Sequence, residues 1–157
     1  MDLLQVGATW LHLLATVALL GYYAVFGLIV LPAVRKVVPA PELGAAIVAI
    51  HRRSTAVVVA SLVVFLATGV YLMVMNERYE GVGNVGGSWA TLLLVKHGVI
   101  AVMVGIGVYI DALVVRGFEL AGSAAHPSAV RRLARAAVAM TALGAVVLFL
   151  TAAAQGG

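Results

Sequence analysis

Residues 7–34 read GATWLHLLATVALLGYYAVFGLIVLPAV, and no charged side chain interrupts them. A helix crosses the hydrocarbon core with roughly 20 consecutive apolar residues, so this stretch is long enough by itself. Three more follow. Ser54 to Met75 is entered through His51-Arg52-Arg53 and closed by Asn76-Glu77-Arg78. Trp89 to Val115 is closed by Arg116, and Ala136 to Ala154 is entered through Arg131-Arg132-Leu133-Ala134-Arg135. No stretch alternates as a barrel strand does, and backbone in lipid must satisfy its own hydrogen bonds. The expected fold is all-α: an integral membrane antiparallel four-helix bundle, a single domain over residues 1–157, with spans at about 7–34, 54–75, 89–115 and 136–154. Proline suits a first helical turn. Helices two and four are therefore expected to extend into the cytoplasm, beginning near Pro41 and Pro127.

Composition agrees. Of the 157 residues 64% are hydrophobic and 10% charged, against about 25% charged in soluble domains. The mean hydropathy is +1.13. With no cysteine, thiolate metal sites, iron–sulfur clusters and thioether-attached haem are excluded for this chain. The opening Met1-Asp2-Leu3-Leu4 lacks the basic region of a cleaved leader. There is no phosphate loop, dinucleotide glycine fingerprint, HExxH or nucleophile elbow, so hydrolase and nucleotide-binding readings have no support. The net charge of +4 is not a nucleic-acid signal, because it sorts by membrane side.

Arg35, Lys36, Arg52, Arg53, Arg116, Arg131, Arg132 and Arg135 all fall in or beside the first and third connections. Only Arg78 and Lys96 lie on the other side. Basic residues favour the cytoplasm, so both termini are expected outside, in a multi-pass protein of the plasma (inner) membrane. Trp10 and Trp89 then fall at the outer boundary, where interfacial aromatics are favoured.

Two histidines lie inside these apolar spans. An imidazole in hydrocarbon is costly without a partner, which makes it a candidate functional residue. His12 lies roughly 10 Å outward of the middle of helix one and His97 roughly 7 Å outward of the middle of helix three, at 1.5 Å per residue. Helices one and three run parallel in an up-down bundle, and facing side chains build bundle cofactor sites. His12 and His97 are thus expected to be axial ligands of haem b, with Gly21, Gly27, Gly69, Gly105 and Gly107 making room for the ring. Lys96 is placed to pair with a propionate or to reach the outer surface. The expected role is a small b-type cytochrome carrying electrons, with a membrane or extracytoplasmic redox partner. The alternative is copper, held by the same imidazoles with Met73, Met75 and Met103, since thioether and imidazole suit copper(I). A further alternative is a non-catalytic subunit of a larger complex, in which the histidines only pack. Whether the chain is an enzyme, and whether it forms an oligomer, stays open.

His51 and His126 form a weaker pair on the basic side, beside arginines, where water can satisfy them. Asp111 is expected to pair with Arg116, Arg52 or Arg53. Tyr22 and Tyr23 lie mid-helix, where each hydroxyl needs a partner.

Several stretches resemble the copper-resistance protein D (CopD) domain family. Trp10-Leu11-His12-Leu13-Leu14-Ala15, running on to Leu31-Pro32-Ala33-Val34-Arg35, is similar to its first helix. Arg52-Arg53-Ser54 followed by Ala67-Thr68-Gly69-Val70-Tyr71-Leu72 is similar to its second. Trp89-Ala90-Thr91-Leu92-Leu93-Leu94-Val95-Lys96 is similar to the start of its third. The likeness runs through about Arg116, and helix four is generic. It implies a four-helix membrane module linked to copper. It also brings in the similar HemJ-type protoporphyrinogen oxidases, in which a helix-one histidine and a helix-three residue bind haem b. By that likeness His12 corresponds to the first ligand and Lys96 to the lysine opening the third helix, with His97 as an added imidazole.

Overall fold

The computed structural model describes residues 2–77, 79, 81, 88–114, 117–118 and 127–156. The regular elements are all helical: α1 (Leu3–Val25), a π turn (Phe26–Val30), α2 (Leu31–Val37), α3 (Ala40–Val74), α4 (Ser88–Val114) and α5 (Pro127–Gly156). Four helical stretches are long and apolar enough to cross a membrane: Leu3–Val37, Ala40–Val74, Trp89–Val114 and Pro127–Ala154. The chain is a multi-pass membrane protein in contact with the lipid bilayer.

Local chemistry sets the ends. Asp2 caps α1, its Oδ1 accepting from the Gln5 amide at 2.7 Å, which satisfies one of the free first-turn donors. α3 begins directly after Pro39, with Pro41 in its first turn, and α5 begins at Pro127. The first span is continuous in spite of Pro32. Proline removes an amide donor and crowds the carbonyl four residues back. The backbone answers with a π turn, in which the Leu31 amide donates to the Phe26 carbonyl. Hydroxyls in the spans donate to carbonyls one turn back, as Thr16 does to His12 at 2.7 Å and Thr141 to Ala137 at 3.0 Å. In lipid this spares each hydroxyl a separate partner.

α1 lies against α3, α4 against α5, and α5 also covers α1, whereas α3 and α4 touch sparsely. The sense of the α1–α3 pairing is visible in its hydrogen bonds. His12 meets Thr68 while Tyr22 meets Ser54, so contacts ascend α1 as they descend α3. The packed core sits at the arginine-rich end: Tyr23, Phe26, Leu31, Ile47, Ile110, Val114, Leu133 and Ala137 are buried there. Burying such side chains against one another fixes this end of the bundle through close packing. The glycines have more varied uses than lining a ring. A Cβ at Gly27 would sit 2.9 Å from the Ala137 Cβ and 3.3 Å from its carbonyl carbon, so at Gly27 the first span packs directly against the backbone of α5. Gly69 faces His12 and Gly107 faces Tyr23, while Gly21 and Gly105 have no neighbour within 4 Å.

Candidate metal centre and membrane cavity

His12 is half-buried on the α1 face that meets α3. Its Nδ1 lies 2.9 Å from Thr68 Oγ1. The Thr68 hydroxyl donates to the Val64 carbonyl at 2.6 Å, so its proton is committed. The Thr68 oxygen can then only accept, and His12 Nδ1–H must donate. A neutral imidazole protonated at Nδ1 keeps its lone pair on Nε2, the atom that ligates a metal. Phe65 stacks on the ring, centroids 4.6 Å apart and planes at 21°. Gly69 supplies the space: a Cβ there would come within 3.2 Å of His12 Cε1. A hydrogen bond on the far nitrogen, a stacked face and a glycine cradle together set the tautomer and the orientation of this ring, the usual support of a ligating histidine. Sequence reading missed Thr68 and Phe65 as its partners. The available signal was depth: both lie near the end of helix two that an antiparallel neighbour would bring to His12.

His97 is placed differently. It is exposed on α4, and its Nδ1 lies 2.7 Å from the Leu93 carbonyl of its own helix. That internal bond lets an imidazole stand at a lipid-facing surface without a partner on another helix. The two imidazoles are thus held separately, His12 by α3 and His97 within α4. Lys96, one residue earlier on α4, is half-buried.

Met73 lies four residues beyond Gly69, one turn further on the same face of α3, and is half-buried. Met75 ends the helix and is half exposed. Met103 belongs elsewhere: it packs against the core at the other end of the bundle. Among the described residues no three His, Asp or Glu side chains gather as a metal-binding group. His126 lies outside the described residues, as do Arg78 and Arg116.

His51 pairs with Asp111. Its Nε2 is 2.9 Å from Asp111 Oδ1, a partner the expectation of arginines beside Asp111 did not include. The ion-pair geometry joins α3 to α4 where those helices otherwise barely touch. Nearby, Ser54 donates to the Tyr22 hydroxyl at 2.9 Å. These groups close one end of a cavity of about 400 Å³ bounded by α1, α3, α4 and α5. Most of the rest of its wall is apolar, including Leu19, Val58, Leu62, Ile100 and Met103. Phe65, which stacks on His12, also lines it.

No curated protein and no solved structure matches the chain. The family described as copper resistance protein D matches residues 48–154. The match runs into α5, beyond the stretches that carry the resemblance in the sequence, and it includes Phe65, Thr68 and Gly69 while leaving His12 outside. It gives no support to the HemJ-type likeness. Covering most of the chain, and falling on three of its four spans, it shows that this protein belongs to the copper resistance protein D family.

Proposed function

We propose that the chain is a copper-handling membrane module, binding copper or carrying it within the bilayer, with copper as its cargo. The observation that carries this reading is the family match over three of the four spans. What supports a place for the ion is the His12 ring, whose Nε2 lone pair is left free by the Nδ1 bond to Thr68. The half-buried thioether of Met73 on the adjoining turn of α3 suits the same soft ion, since imidazole and thioether together favour copper(I). Met75, at the helix end, would take the ion from solvent or pass it there. Lys96 opposes a cation beside His12, so loading requires its ammonium to swing outward along its flexible stem. A haem between His12 and His97 has no such support: the family match speaks for copper, and His97 bonds within its own helix.

The test is transport. Protein reconstituted into vesicles with a copper(I)-sensing dye inside is expected to admit copper(I) faster than protein-free vesicles, in a manner that saturates with copper. Equal rates in the two preparations would leave the copper-carrying reading without basis.

A further inference from the structure

We propose that the cavity between α3 and α4 is a binding site for a lipid-soluble quinone: an apolar tail on a flat ring bearing carbonyl acceptors. Each part of that description answers a feature of the wall. The cavity is apolar over most of its lining and lies within spans that contact lipid. The sparse contact between α3 and α4 leaves it unsealed on that side, so a ligand enters sideways from the bilayer and its tail remains there. A volume of about 400 Å³ falls at the small end of ligand sites, which run from roughly 300 to 1,000 Å³. It holds a ring head and the start of a chain.

The polar end defines the head. Tyr22 is hydrogen-bonded to Ser54, whose own hydroxyl also reaches the Ile50 and His51 carbonyls at 3.0 Å. Tyr23, beside it with rings 5.1 Å apart, makes no hydrogen bond among the described residues, and its hydroxyl faces the open position of Gly107. Thr55 donates to the His51 carbonyl, and His51 is engaged by Asp111. The group with a proton to spare is therefore the Tyr23 phenol, beside Tyr22, and it calls for an acceptor. A carboxylate or phosphate head would meet the Asp111 carboxylate at the mouth, whose side chain is 59% exposed. An uncharged carbonyl avoids that repulsion. Tyr22, Tyr23 and Phe65 line the wall and favour a flat ring, since aromatic faces stack.

The experiment uses the full-length protein without copper, in lipid nanodiscs, titrated with decylubiquinone and, separately, with decylbenzene, which has a comparable tail and no carbonyls. Binding is read by calorimetry. The expected result is one saturable quinone per chain and no comparable binding of decylbenzene. The Tyr22→Phe/Tyr23→Phe double variant, which keeps both rings, should weaken quinone binding by about tenfold, the usual scale for losing donors to a buried acceptor. Val58→Trp, which fills the cavity, should abolish it. If that variant does not fold, the double variant decides alone. Equal affinity for decylbenzene would mean the cavity merely takes up lipid chains. Unchanged quinone affinity in the double variant would mean the tyrosines do not hold the head. Either result overturns the proposal.

Discussion

A His12→Ala chain should lose copper(I) affinity by about a hundredfold or more. Changing a residue that only supports a metal ligand typically costs about 10–100-fold, and removal of the ligand itself costs at least the upper part of that range. Competition with a colorimetric copper(I) chelator reads the loss. Thr68→Val belongs in the same measurement. It keeps the Phe65 stack but removes the acceptor that holds Nδ1–H, so it should fall between wild type and His12→Ala. The helices should still insert in both, because the first span is apolar enough without its imidazole. If His12→Ala binds copper(I) as tightly as wild type, the ion is held elsewhere.

Substitution of Gly27 should produce the largest loss of stability. The nearest neighbours of an added Cβ are the Ala137 Cβ at 2.9 Å and backbone atoms of Ala137 and Val138 at 3.3 and 3.5 Å. Backbone cannot rotate away, so the first span and α5 must separate. Gly27→Ala is expected to cost about 1–3 kcal/mol, the range for overpacking a filled interior, and Gly27→Leu should prevent a folded bundle. Gly144 is a milder case. An added Cβ there would overlap Leu20 Cδ2, but that is the end of a flexible side chain. Gly21 has open space around its Cβ position, and Gly21→Ala should be neutral or stabilising by roughly 0.4–1 kcal/mol through the lower entropy of the unfolded chain. Thermal unfolding in detergent ranks the three. A Gly27→Ala protein as stable as Gly21→Ala would show that the contact with α5 does not limit packing.

What could be read from the sequence divides along physical lines. The four spans were legible because lipid demands long apolar runs, and the extensions of α3 and α5 were legible from Pro41 and Pro127. His12 stood out because an imidazole in hydrocarbon needs a partner. The rotation of each helix was not legible. α4 is apolar on nearly every side, so nothing in its pattern says which face meets the bundle. Sequence therefore placed His97 at a suitable depth but could not show that it is exposed and bonds within its own helix, while Lys96, one residue earlier, is half-buried. The His51–Asp111 pair was missed for a similar reason. Arginines crowd that end in sequence, and charge alone made them the natural partners of Asp111. The π turn that absorbs Pro32 also shifts the register of the first span, which no hydrophobic periodicity reveals.

The measurement that tests the central claim most directly is the metal content of the wild-type protein. The chain is purified from cells supplied with both copper and haem precursor, and its copper is counted alongside its absorption spectrum. The account predicts copper in fixed proportion to protein and no Soret band. A Soret band with sharp reduced α and β bands, and no copper, would contradict it.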